Sequence, residues 1–148
     1  MKLIIMRHGQ ASWSAPSDQE RPLTEVGQNE VLKTANKLQH LGITRVLASP
    51  YLRAQQTGRI VAETLECTLE TLDCITPDDN PVAVISELPE QGNILLASHM
   101  PLVSALTGLL CDGAVHEGPG FMTANAAVLE MDIPGPGLAR FQEMIHPQ

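Results

Sequence analysis

Four short stretches carry side chains able to do chemistry: Arg7-His8-Gly9, Arg21-Pro22-Leu23-Thr24, Ser49-Pro50 with Arg53, and Ser98-His99 with Pro101. An arginine offers a permanently charged planar fork that grips an oxyanion through two parallel hydrogen bonds. A histidine offers a nitrogen nucleophile or base that works near neutral pH. Gly9, beside His8, is expected to let the backbone approach a ligand closely. Two histidines and two or three arginines brought to one place suit phosphate or sulfate. Any one stretch alone is equally compatible with a turn that holds a basic side chain in solvent, so the signal lies in the repetition.

Three of the four stretches close an apolar run: Leu3-Ile4-Ile5-Met6 before Arg7, Val46-Leu47-Ala48 before Ser49, and Ile94-Leu95-Leu96-Ala97 before Ser98. Such runs read as buried strands, and open α/β sheets bind their ligands at the carboxyl ends of strands. Arg7, His8, Arg53 and His99 are therefore expected to converge on one pocket. Ser49 suits a helix N-cap and Pro50 the first helical position. Arg53 would then share one turn of helix with unpaired N–H groups and the positive dipole end, which favours an anion. Pro101 is expected to open a second apolar helix, Leu102 to Leu110.

The elements that must position these groups are a strand over 2–7, a loop to about residue 23 and a helix capped by Thr24. In that helix Val31, Ala35 and Leu38 recur at helical spacing, and it ends near Gly42. Strand 45–49, helix 50–66, strand 69–73, helix 81–88, strand 93–98 and helix 101–111 follow. Alternation of this kind predicts an α/β three-layer sandwich with a mainly parallel central sheet and right-handed crossovers. Residues 123–133 and 138–145 flank Pro134-Gly135-Pro136-Gly137 and predict a C-terminal antiparallel hairpin. The segment from Gly113 to Gly120 reads as a loop free to move beside the site.

Length and composition set bounds. The 148 residues suit one domain over 1–148, and 43% apolar with 18% charged residues fits a soluble globular chain. A net charge of −8 speaks against nucleic acid as a partner, so a phosphate site must be a local positive island. The apolar run 3–6 is too short for a signal peptide or a membrane span, which predicts a cytoplasmic location and no membrane partner. Cys67, Cys74 and Cys111 are odd in number and lack metal-ligand spacing; they are expected to be free, mostly buried thiols. Asp78-Asp79 sits in a turn without nearby histidines, so neither a metal nor another cofactor is expected. His40, His116 and His146 read as structural or surface groups.

Together the four stretches, with Gly27, Ala54 and Thr57, resemble the histidine phosphatase superfamily, the phosphoglycerate mutase-like fold, in this order and over about two thirds of the chain. The short length and the Arg-Pro-Leu-Thr segment resemble its branch of small bacterial SixA-type phosphohistidine phosphatases, without the helical lid subdomain of larger relatives. The resemblance implies a covalent phosphohistidine on His8 and phosphate-binding roles for Arg7, Arg53 and His99. Neighbouring cations would keep His8 neutral and nucleophilic. Arg21 is either a fourth phosphate ligand or a loop arginine fixing a backbone carbonyl. A monomer acting on a phosphohistidine-bearing protein, such as a histidine phosphotransfer domain, is implied. The alternatives are a phosphatase of small phosphate esters and a non-catalytic phosphate-recognition module.

Two departures stand out. Many superfamily members carry a carboxylic acid after the third strand to protonate an alcohol leaving group, whereas this chain reads Leu72-Asp73-Cys74-Ile75. Asp73, or Asp18 from the loop before Arg21, would have to substitute, or no acid is used. An imidazole leaves phosphorus more readily than an alkoxide, so a P–N bond needs less help. Glu30-Val31 replaces a frequent Gln-Ala pair, with an effect expected on helix packing rather than chemistry.

Overall fold

In the computed structural model, which describes residues 1–148, the buried apolar runs become the strands of one six-stranded sheet. The strands are β1 (Lys2–Arg7), β2 (Arg45–Ala48), β3 (Thr68–Thr71), β4 (Asn93–Ser98), β5 (Ala126–Glu130) and β6 (Arg140–Ile145). The helices are α1 (Glu25–Lys37), α2 (Leu52–Leu65), α3 (Pro81–Glu87) and α4 (Leu102–Asp112). Across the sheet the order is β3-β2-β4-β1-β5-β6. The four strands from β3 to β1 are parallel, while β5 runs antiparallel to both β1 and β6.

Successive side chains of a strand point to opposite faces, and here both faces are buried. Ile4, Met6, Val46, Ala48, Leu95 and Ala97 pack under Val31, Ala35 and Leu38 of the α1 region and Val61 and Ala62 of α2. Leu3, Ile5, Leu47, Ile94 and Leu96 face Val84 of α3 and Leu102, Val103, Leu106 and Leu110 of α4. The result is the expected three-layer α/β sandwich with its C-terminal hairpin. Strand order reverses between the β3 side and the β1 side, and the carboxyl ends of β2, β4 and β1 meet at that reversal, where such sheets form a crevice.

Several boundaries differ from expectation for identifiable reasons. Thr24 does cap α1, its hydroxyl accepting from the Gly27 N–H at 3.0 Å. Helix α2 starts at Leu52 rather than Pro50, and Ser49 does not cap it; Tyr51 occupies the cap position, and its N–H donates to Ser49 Oγ at 3.3 Å. Pro101 stands before α4 at the cap rather than inside it. Strand β5 begins only at Ala126, because Ala124 takes a left-handed φ of 60° and the Asn125 N–H closes a turn onto the Met122 carbonyl. The cysteines are half-buried rather than mostly buried.

The loop from β1 to α1 is strapped down tightly. Ala11 and Leu23 form an isolated bridge, and the Thr24 N–H donates to the Gln10 carbonyl. A Cβ on Gly27 would lie 2.1 Å from the Gln10 carbonyl oxygen, and one on Gly9 would lie 2.6 Å from the Gly27 carbonyl oxygen. Gly9 thus serves close packing against α1, a constraint that its place beside His8 in the sequence does not reveal. Gly27→Ala is expected to lower unfolding free energy by about 2 kcal/mol or more, since the clash is with backbone that cannot rotate away. A urea-denaturation midpoint equal to that of the unmodified protein would refute this.

The segment from Gly113 to Gly120 is also held. Residues Val115–Glu117 form a 3-10 turn, and Gly118 lies so close to Ser104 of α4 that a Cβ would overlap its carbonyl oxygen. What reaches the sheet edge from this connection is its later part, Phe121 to Asn125.

Candidate active site

The sheet register itself assembles the site. Arg7 pairs with Ser98 and Ala48 with Ala97, so the next residues, His8, Ser49 and His99, emerge at one level from three adjacent strands with His99 in the middle. The His8 N–H donates to the Ser98 carbonyl, and the Ser49 N–H to the Ala97 carbonyl. The rings of His8 and His99 lie 5.2 Å apart, edge to face. Arg53 enters from the first turn of α2, with its Nε 3.3 Å from His8 Nε2. The structure thus brings Arg7, His8, Arg53 and His99 to one place, and all but the half-buried Arg7 are nearly enclosed: His8 is 8% exposed, Arg53 4% and His99 1%.

Each histidine has a defined hydrogen-bond setting. His8 Nδ1 lies 2.7 Å from the Gly9 carbonyl oxygen. A carbonyl only accepts, so Nδ1 carries the proton and Nε2 keeps an unprotonated lone pair, which accepts from Arg53 Nε at 3.3 Å. Gly9 is held in turn by its own N–H, which donates to Thr57 Oγ1, while the Thr57 hydroxyl donates to the Arg53 carbonyl. Thr57 therefore couples the loop that follows His8 to the helix that carries Arg53. His99 Nε2 lies 2.7 Å from Ser49 Oγ. That contact explains why Ser49 fails to cap α2, and Ser49 is a site residue that its cap-like sequence context concealed.

Two buried side-chain atoms in the chain lack any hydrogen-bond partner, and both belong here: Arg7 Nε and His99 Nδ1. An uncompensated buried polar atom costs about 1–3 kcal/mol. Such atoms persist where a function uses them. The rest of Arg7 is anchored, Nη1 donating to the Phe121 carbonyl at 2.8 Å. Burial lowers the pKa of Arg7 and the charge of Glu30 opposes that shift. Glu30 also accepts from the Gln10 N–H and from Thr123 Oγ1, tying α1 to the loops on either side of Arg7. The expectation that Glu30 acts on packing omitted this electrostatic link.

Asp18 and Asp73 have separate fates. Asp73 is exposed in the turn after β3. Asp18 lies in the site: its carboxylate bridges Arg53 Nη2 at 3.3 Å and Arg21 Nη1 at 3.2 Å, and its carbonyl accepts from Arg53 Nη1 at 2.6 Å. Desolvation raises its pKa, but the Arg21 hydrogen bond and the charge of Arg53 outweigh it and hold the carboxyl below its ordinary value. An ionised Asp18 has no proton to give near neutral pH. Arg21 is placed between the two readings of it: Nε fixes the Ser12 carbonyl at 2.9 Å, and its head group reaches the site through Asp18. The other three histidines, His40, His116 and His146, are exposed.

Burial, then the charges of Arg53, Arg7 and Arg21, push the His8 pKa down to about 4 against the raising effect of the Gly9 hydrogen bond. Burial, then His8, Arg53 and Arg7, push His99 to about 3, opposed by Asp18. Protonation would remove the His8 lone pair, so activity falls as pH drops through the folded-state value. The acid limb of kcat/KM is expected near pH 4, with a plateau from about pH 5 to 8. Initial rates on a small phosphoramidate, corrected for uncatalysed hydrolysis, measure it; a midpoint near 6.5 would mean that His8 titrates as an ordinary solvated imidazole.

The comparisons with known proteins agree with this geometry. A sequence model of the histidine phosphatase superfamily (branch 1) matches residues 3–76. The chain is 40% identical over 151 aligned positions to the phosphohistidine phosphatase SixA of Escherichia coli K12, covering 96% of this chain and 92% of that one. It is 35% identical over 126 positions to the SixA homolog of Haemophilus influenzae, covering 74% and 77%. Among solved structures, the protein histidine phosphatase SixA complexed with tungstate superposes with a TM-score of 0.85 at 35% identity, over 99% of this chain and 97% of that one. With its sheet, its strand-end histidines and these relatives in agreement, the chain belongs to the histidine phosphatase superfamily.

Proposed function

We propose that this chain is a phosphohistidine phosphatase in which His8 is the nucleophile, and that residues 1–148 form the single domain that does the work. The observation that carries the reading is His8 Nε2, left unprotonated by the Gly9 carbonyl and set against Arg53 and His99 beside two uncompensated buried polar atoms. Similarity to the two SixA proteins over most of the chain supports the substrate class. Arg7 and Arg53 grip the equatorial phosphoryl oxygens, and His99 adds a neutral hydrogen-bond donor.

His8 Nε2 forms a bond to phosphorus as the P–N bond to the substrate's imidazole breaks. The bonding pair leaves on the substrate nitrogen, which takes a proton from solvent water and departs as neutral imidazole. Water then adds to phosphorus, a proton is lost to solvent, phosphate leaves, and His8 returns neutral. Protein acid catalysis is not required for an imidazole leaving group, in keeping with an Asp18 held ionised between two arginines. The substrate is a histidine on a signalling or phosphotransfer protein, reached by a cytoplasmic monomer.

The test is discrimination. Catalytic efficiency toward a phosphohistidine protein is expected to exceed that toward sugar phosphates or phosphoglycerates by roughly a hundredfold, about 3 kcal/mol of transition-state binding. Measurement at one ionic strength decides: equal efficiencies, or a preference for esters, would favour the small-ester phosphatase.

A further inference from the structure

The two most exposed large hydrophobic side chains of the chain both border the site: Trp13 at 85% and Met122 at 75%. They come from separate loops. Trp13 follows β1, and Met122 follows Phe121, whose carbonyl holds Arg7. Leu52, 37% exposed, stands between Tyr51 and Arg53 at the start of α2. The location of Trp13 follows from unbroken contacts. The Arg21 guanidinium lies 3.7 Å over its ring, Arg21 pairs with Asp18, Asp18 with Arg53, and Arg53 reaches His8.

Resting on the phosphohistidine reading above, we infer that Trp13, Met122 and Leu52 form an apolar rim on which a phosphohistidine-bearing protein docks with the apolar surface around its modified residue. The nucleophile is almost enclosed, so the phosphorylated imidazole must reach inward. Its phosphorus lies only roughly 6 Å from its own Cα, a few bond lengths. The partner's backbone and neighbouring side chains are thereby brought onto the rim. A chain of net charge −8 does not draw a phosphoryl dianion by its overall field, so contact at the rim adds to the affinity that Arg7 and Arg53 supply locally. Trp13 is suited to it: Arg21 stacks on the ring, and Ser12 and Asp18 fix Arg21, so little freedom remains to be lost on binding. Large exposed apolar groups beside a site mark interaction surfaces, and tryptophan is prominent among the residues that dominate them.

The test compares Trp13→Ala and Met122→Ser with the unmodified enzyme on two substrates: a histidine phosphotransfer domain phosphorylated on its histidine, and phosphoramidate. For Trp13→Ala, KM for the phosphoprotein is expected to rise about tenfold with kcat within twofold, and kcat/KM for phosphoramidate to stay within twofold. Met122→Ser, which does not touch Arg21, is expected to raise KM for the phosphoprotein a few-fold with the same split. Equal losses on both substrates would mean that Trp13 only supports Arg21, and no change in KM in either variant would mean that the rim is idle; either outcome overturns the inference alone. An unmodified enzyme that hydrolyses phosphoramidate but not the phosphoprotein would instead overturn the substrate reading, and the rim with it.

Discussion

His8→Ala is expected to lower kcat by about ten thousandfold or more, to the background of uncatalysed hydrolysis, while leaving the protein folded. In the proposed mechanism alanine removes the attacking nitrogen, and no other group replaces it. His99 Nε2 is engaged by Ser49, and Asp18 is paired with arginines. The backbone at position 8 keeps its bonds to the Ser98 carbonyl and the Ala124 N–H, so the junction of β1 and β4 survives the change. Labelled phosphate from a phosphoprotein should be trapped on the unmodified enzyme after a rapid quench at high pH, where a phosphohistidine persists, and should be missing from the variant. Turnover within tenfold of the unmodified enzyme would sink the covalent mechanism.

Arg53→Lys is expected to lower kcat/KM by about a thousandfold, roughly 4 kcal/mol, although the charge is kept. A guanidinium donates through two parallel N–H groups in one plane, and here it also reaches the His8 lone pair through Nε. An ammonium is a point donor on a flexible stem and cannot make these contacts at once. Arg53 is 4% exposed, so bulk water does not make good the missing bonds. A lysine variant within fivefold of the original would show that Arg53 contributes charge alone.

What was legible in the sequence is what strand periodicity and strand-end chemistry encode. The sheet runs 2–7 and 93–98 coincide with β1 and β4. Their apolar character on both faces reflects burial between two helical layers, and Arg7, His8 and His99 follow from where those runs stop. The reading blurred where one residue serves two masters. Ser49 looks like a cap until the Nε2 of His99 is seen on it, and Gly9, read for its place beside His8, also packs against α1. The place of Asp18 was a matter of tertiary packing, because the loop that carries it folds back through the Ala11–Leu23 bridge, a pairing with no periodic signal. Trp13 carried a signal that went unused: a chain with one tryptophan places it between two motif arms, in a loop of otherwise small and polar residues.

The positions of His8, Ser49 and His99 at one level of three hydrogen-bonded strands mean that chemistry and folding share a fate. The backbone amides of His8 and Ser49 belong to the same ladder that closes the core, so the groups of the proposed site come into place only when the whole sheet does. The loop that bears Trp13 is no part of that ladder. Its solvent-facing tip is free to drift in sequence at little cost to the fold, and a lineage of such enzymes is free to change the company it keeps while the reaction stays the same.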